Sequence, residues 1–148
     1  MRDSLAVQEG MYAGLLRPTF LAHLAEALLK ADRPEDGLRA VQDGFDAAER
    51  GLERYYLAEL HRLRGELLLR AGDEVGSERS FGAAIDFART QGAKSLELRA
   101  VTGLARLLHE SSRTAEARTH LSEIYGWFTE GHRTRDLVEA RTLLDALR

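Results

Sequence analysis

Three places in the chain carry residue types that could support chemistry. Gly92-Ala93-Lys94-Ser95 holds the lysine and hydroxyl that end a phosphate-binding loop. Such a loop puts glycine directly before the lysine and another five positions earlier, so that backbone N–H groups can cradle phosphate oxygens. This chain has Ala93 and Ala88 there, and no strand pattern precedes them, so a turn entering a helix is the expected reading. His109-Glu110 begins the zinc-binding sequence His-Glu-x-x-His, yet position 113 is arginine, and no second imidazole lies one turn away. His61, with Glu59 and Glu66 close in sequence, has the makings of an oriented general base. Ordinary ion pairing on a helix surface accounts for the same residues and is the expected arrangement.

His23, His120 and His132 add no pair at ligand spacing. No serine or threonine sits in a glycine-flanked elbow that would expose a nucleophile. The absence of cysteine removes disulfides, thiolate metal sites and cysteine nucleophiles. No catalytic site, metal site or cofactor is therefore expected. Tyr125-Gly126-Trp127-Phe128 is the densest aromatic cluster and contains the single tryptophan. A ligand-binding ledge is one reading; core packed under the last helix is the expected one.

The 148 residues make one domain by size, with 44% apolar residues to fill its core. A formal charge of −3 argues against nucleic acid, whose capture needs clustered positive charge. No apolar run approaches the ~20 residues of a membrane span, and Met1-Arg2-Asp3-Ser4 opens no signal sequence. The expected setting is cytoplasmic, away from membrane.

Apolar spacing is helical nearly throughout, and no segment alternates with period two. Helices are predicted at roughly 18–31, 34–50, 53–71, 74–91, 94–110, 114–130 and 135–147. Pro34 stands at a first helical turn followed by Glu35 and Asp36, where negative charge suits the helix dipole. Gly51, Gly72, Gly92 and Gly131 each follow a periodic run, as residues that close a helix in the left-handed region do. Leu60, Leu63, Leu67 and Leu68 form one apolar stripe, and Leu104, Leu107 and Leu108 another. The last helix, with Leu137, Ala140, Leu144 and Leu147 at steps of three and four, has the make-up of a cap.

Three stretches align at a spacing of 40 residues. Ala25, Gly65 and Ala105 share a column; Gly37, Ser77 and Ala117, then Val41, Phe81 and Leu121, then Gly44, Ala84 and Ile124 share others. Small residues recurring where helices touch, and large ones where a core is filled, mean stacked helical hairpins. The expected units are 15–52, 53–92 and 93–131, with a cap helix at 135–147. Residues 1–14 read as an N-terminal segment left from a preceding hairpin. An open apolar end near Leu15, Leu16 and Phe20 would favour self-association.

Small, small at plus 12, bulky at plus 16 and small at plus 19 resembles the tetratricopeptide repeat, best in the third unit with Ala105, Leu108, Ala117 and Leu121. Arg64 departs from the usual leucine, no proline closes a unit, and 40 residues exceeds the usual period of about 34. Longer strings, AELHRLRGELLLRAGD at 58–73, ARTQGAKSLELRAVTGLARL at 88–107, YGWFTEG at 125–131 and LVEARTLLDAL at 137–147, resemble the C-terminal repeat region of large bacterial proteins. Those proteins join a class III adenylate or guanylate cyclase, or a transcriptional activator domain, to an ATPase module.

What the resemblance implies is an all-α, right-handed α-α superhelix of three hairpins plus a C-terminal capping helix, serving as a noncatalytic interaction or regulatory scaffold for signalling. It places Ala22, Glu26, Arg62, Glu66, Thr102, Arg106 and His109 on a concave groove, with Glu59, Arg70 and Arg99 as further candidates. The lysine–asparagine clamp that grips a terminal carboxylate in that family has no counterpart here, so a chaperone C-terminus is not expected. The expected partner is a polar protein or peptide segment, or a neighbouring domain of a larger protein. Two alternatives stay open: a sensor holding a small molecule in the groove, and a homodimerisation module using the N-terminal end.

Overall fold

The computed structural model describes residues 17–50 and 54–148, and among these it is all-helical. The helices are α1 (17–30), α2 (Pro34–Arg50), α3 (Leu57–Arg70), α4 (Glu74–Thr90), α5 (Lys94–Glu110), α6 (Thr114–Trp127) and α7 (Arg135–Ala146). The expected N-terminal segment 1–14, Leu15, Leu16 and the glycine closure at Gly51 lie outside the described residues. Among the described residues, no helix is long and apolar enough to cross a membrane.

Four tight turns share one closing device. In each, a residue in the left-handed region follows the helix: Asp32 at φ 56°, Gly72 at 87°, Gly92 at 65° and Ser112 at 63°. The next N–H donates back to the carbonyl five residues earlier, as Arg33 to Leu28 at 2.9 Å, Asp73 to Leu68 at 2.9 Å, Ala93 to Ala88 at 2.9 Å and Arg113 to Leu108 at 2.7 Å. These bonds satisfy carbonyls that the helix end would leave unpaired. Glycine takes that conformation freely, whereas Asp32 and Ser112 adopt it at a small steric cost. Sequence reading by glycine alone therefore finds Gly72 and Gly92 and passes over the other two.

Two helix ends differ from the expected positions by more than one residue. Helix α3 begins at Leu57 rather than 53, because Arg54–Tyr56 forms a turn closed by Leu57 N–H on the Arg54 carbonyl at 3.2 Å. Helix α6 stops at Trp127 rather than 130. Phe128 leaves the helix in an extended conformation (φ −79°, ψ 125°) and packs against the buried cluster of α4–α7.

Consecutive helices from α2 to α7 pack on one another. In addition α3 packs on α5 and α5 on α7, while the backbones of α2 and α4, and of α4 and α6, stand apart; Arg113 at the head of α6 reaches Glu78 of α4 at 2.9 Å. Ala22, Ala25 and Leu29 bring α1 into the same cluster as Ala40, Val41, Leu60, Leu63 and Leu67. The odd-numbered helices thus form one closely packed layer, and the even-numbered helices stand apart on the other side. Helices of 12–17 residues are marginal alone in water, so burial of these stripes holds them.

All four 40-residue columns are buried. Gly37 faces Leu67, Gly44 faces Leu60, and Gly65 and Gly103 face the ring of Phe81 from α3 and α5. The Ser77 hydroxyl donates to the Gly65 carbonyl at 2.6 Å, so its burial leaves no polar atom unpaired. At the C-terminal end α7 lies on α5 and α6 and buries Leu137 and Ala140. Leu147 just beyond it is also buried.

A matched pair of substitutions tests this packing. A methyl at Gly103 would stand 2.5 and 2.8 Å from ring carbons of the buried Phe81, whereas one at Gly82 meets nothing within 4 Å. Gly82→Ala should raise unfolding free energy by about 0.5–1 kcal/mol through helix propensity. Gly103→Ala should lower it by about 1–2 kcal/mol, as overpacking outweighs that gain. Urea denaturation of both variants checks the signs.

Candidate binding groove

The odd-numbered layer presents its charged side chains to one groove of about 540 Å³. Glu26, Leu29 and Lys30 come from α1, and Arg62, Glu66 and Arg70, spaced by four, from one face of α3. Arg99, Thr102 and Arg106 come from α5, while Thr134, Arg135, Asp136 and Glu139 bring the first turn of α7 against them. Among the described residues, Leu29 is the one apolar side chain in the lining.

The floor is a buried ion network. Arg62, 6% exposed, donates to Glu59 through Nε at 3.0 Å and Nη2 at 2.7 Å, and to Glu66 through Nη1 at 2.6 Å. Arg99 of α5 reaches the same Glu59 oxygen at 2.8 Å, tying α5 to α3. Burial opposes ionisation of Glu59, but the Arg62 hydrogen bonds and charge, joined by Arg99, outweigh it and hold the carboxyl below its ordinary value. Burial likewise opposes the charge on Arg62, and the hydrogen bond and charge of Glu59 reverse that, raising its pKa. Thr102 turns its hydroxyl back to the Leu98 carbonyl at 2.7 Å.

The rim pairs are longer and open to water. Lys30 lies 3.7 Å from Glu26, Arg99 3.6 Å from Asp136, Arg106 3.4 Å from Glu139, and Arg70 3.2 Å from Asp32. Arg135 also takes Glu139, at 3.0 Å, so one carboxylate serves two guanidinium groups.

Of the ten residues singled out from the sequence, Glu26, Arg62, Glu66, Arg70, Arg99, Thr102 and Arg106 line this groove. Glu59 lies beneath it and borders a smaller cavity of about 230 Å³ with Ala22, His23, Tyr55 and Tyr56. His109 is elsewhere: its Nδ1 sits 3.0 Å from the Thr114 hydroxyl, across the turn between α5 and α6. Lys30 and the α7 residues were not anticipated. Lys30 shares a column with Arg70, a usable signal, but the approach of α7 is tertiary.

Two further expectations need correction. Trp127 is not core: it is 57% exposed and packs edge-on against Phe128 at 5.1 Å, with the Lys94 ammonium 5.6 Å from its ring. Its neighbours Tyr125 and Phe128 do pack on the buried cluster. His61 is neither ion-paired on an open helix face nor oriented by Glu59, which Arg62 and Arg99 occupy. Its imidazole lies between Phe45 at 4.6 Å and Phe87 at 5.2 Å, in a second cavity over α3. Burial, with the charge of Arg64, lowers its pKa.

Lys94, the residue of the phosphate-loop-like stretch, donates to Glu97 at 3.0 Å, and Arg89 holds the other oxygen of that carboxylate at 2.8 Å. Glu97 is 3% exposed. Burial disfavours its charge, but hydrogen bonds from Arg89 and Lys94 prevail and lower its pKa. Among the described residues, no three His, Asp or Glu side chains gather as metal ligands would. Carboxylates held ionised by arginine are poor proton acceptors near neutral pH. The arrangement suits exchange of ion pairs with a bound group. No family model matches this chain, nor does any curated protein or solved structure.

Two predictions separate floor from rim and inner face from outer. Arg62→Ala leaves the buried Glu59 to Arg99 alone and should cost about 3 kcal/mol, while Arg106→Ala should change stability by about 0.5 kcal/mol or less; chemical denaturation reads both. His61 binds protons more weakly folded than unfolded. Its contribution is therefore complete above its ordinary value of 6.5 and falls as pH drops below that. His61→Phe should remove this slope below about pH 6.5, as thermal unfolding across a pH series would show.

Proposed function

We propose that this chain is a noncatalytic interaction scaffold that holds a polypeptide in the groove of its odd-numbered helices. The carrying observation is the division of that groove into a saturated floor and a loosely paired rim. The floor, Arg62 with Glu59, Glu66 and Arg99, fixes the wall geometry through short, largely buried ion pairs. The rim offers charged groups whose own pairs are exposed and weak. A lining in which Leu29 is the one apolar side chain among the described residues differs from the largely apolar pockets that enclose small molecules. That difference favours a polypeptide over the sensor alternative.

The proposed architecture is the tetratricopeptide-like, right-handed superhelix of three hairpins closed by α7. Buried small-residue columns and equivalent turns at Asp32, Gly72 and Ser112, 40 residues apart, support it. On the same resemblance, the module belongs with larger bacterial signalling proteins in the cytoplasm and serves a neighbouring domain or a separate protein.

A photoreactive phenylalanine analogue tests the assignment. Thr134 lines the groove, is exposed, and makes no side-chain cap bond, so replacing it spares α7. Arg79 is exposed on α4 in the outer layer. Irradiation in the native host should give polypeptide adducts from position 134 and none from 79. Adducts from 79 alone, or equally from both, would refute the groove.

Self-association has one observation in its favour. Phe20 on α1 is 65% exposed, whereas Leu60 and Ala100, at the same column in α3 and α5, are buried. Phe20→Glu should shift sedimentation toward the monomer if this face pairs with a second copy; an unchanged profile removes that reading.

A further inference from the structure

Resting on the groove reading above, we propose that the bound partner is an acidic polypeptide segment, whose carboxylates exchange with the chain's own at Lys30, Arg70, Arg106 and Arg135. The lining holds six cations, Lys30, Arg62, Arg70, Arg99, Arg106 and Arg135, against four carboxylates, Glu26, Glu66, Asp136 and Glu139. Glu59 beneath the floor is already engaged, and Asp32, outside the lining, pairs with Arg70 at 3.2 Å.

Exposure separates the signs further. The side chains of Lys30, Arg70 and Arg135 are 63%, 56% and 75% exposed, and no carboxylate of the lining exceeds the 41% of Glu139. Within the lining itself, the groups that meet an incoming chain first are therefore cations, while the 78% exposed Asp32 stands beside Arg70. Arg106 and Arg135 have one carboxylate, Glu139, between them.

Displacing such exposed pairs forfeits little. A guanidinium that gains a partner carboxylate forms short, charge-assisted bonds. A basic segment would find the reverse: Glu59 and Glu66 are already held by Arg62, at 2.7 and 2.6 Å, and its own charges would face the cationic rim. The floor pairs survive exchange because they are buried, so the groove keeps its shape while its rim changes partners. A nucleic acid would add many further phosphates over a chain of formal charge −3, a field that opposes a long polyanion. A short acidic stretch within a polypeptide meets the local cations without that cost.

The test uses the full chain and fluorescent peptides of about ten residues: oligoglutamate, oligoglutamine and oligolysine. Anisotropy should show oligoglutamate bound tightest, with affinity falling at least severalfold between about 50 and 200 mM salt. The double variant Arg106→Gln/Arg135→Gln should weaken binding about tenfold or more. A control, Arg79→Gln on the outer layer, should leave it unchanged, and circular dichroism verifies that the helices persist. Tighter binding of oligoglutamine or oligolysine that the double variant still weakens would overturn the acidic partner and leave the groove standing. Oligoglutamate binding that the double variant leaves intact, or that Arg79→Gln weakens equally, would overturn the site. Equal capture of free glutamate, inorganic phosphate or a single-stranded oligonucleotide of the same length would overturn the polypeptide. No binding of oligoglutamate at low salt would overturn the inference, while adducts at position 134 would still report a groove partner.

Discussion

The distance between α3 and α5 governs most of what this molecule can do. Gly65 on α3 and Gly103 on α5 both face the buried ring of Phe81, and even a single methyl at Gly103 would collide with it. Two missing side chains let α4 send a large ring between its neighbours without driving them apart. Because α3 and α5 stay close, Arg99 on α5 can reach Glu59 on α3 at 2.8 Å. Apolar packing on one side of the layer thus sets the ion network on the other. Without that approach the floor of the groove would be two separate pairs, open to water.

The network gains its value from position more than from energy. Burying Arg62 and Glu59 costs solvation that their attraction roughly repays. What the arrangement supplies is discrimination: a carboxylate sitting opposite a buried guanidinium accepts no apolar substitute and no shift of helix register without leaving a charge stranded. Glu97, held by Arg89 and Lys94 at the start of α5, imposes the same condition beside the turn from α4. Two buried acids, each clasped by two cations, therefore pin α5 at both of its faces. Leucine at either position would allow α5 to slide or rotate.

The core was legible because its code is local and repeated. Small and bulky residues fall at fixed offsets in three copies, and steric necessity makes each offset mean the same thing in each. The aromatic residues were less legible, for a reason that period alone reveals. Ala117, Leu121, Ile124 and Phe128 step by four, three and four along the buried stripe; Trp127 falls off it and faces water. Counting aromatics found the cluster, whereas phase along the helix decides which of them is buried. His61 lay beyond any local rule, since its two rings come from α2 and α4, neighbours of α3 whose backbones stand apart. The α7 wall of the groove was hidden likewise: its apolar spacing marks it as a cap, and nothing in that spacing says that its first turn meets Arg99 and Arg106.

The even-numbered side shows why the groove lies where it does. Over α3 the seam between α2 and α4 stays open, with His61 on its floor; over α5 the equivalent Val101 is buried, as is Glu97 one turn before it. The same column therefore carries an imidazole in one copy and an apolar side chain in the next. A surface that changes this much between adjacent units cannot continue one binding mode along the stack. On the odd side the columns instead carry charge through three helices: Glu26, Glu66 and Arg106 share one, and Lys30 and Arg70 another. In the first of these the sign flips at α5. The acids of α1 and α3 are answered by arginine at the third position, and Glu139 of α7 answers that arginine in turn. Alternation of this kind runs across the helices, not along them, so an occupant reading it must cross the layer. An extended chain laid over α1, α3, α5 and α7 meets each helix once, and it would read Glu26, Glu66, Arg106 and Glu139 in turn.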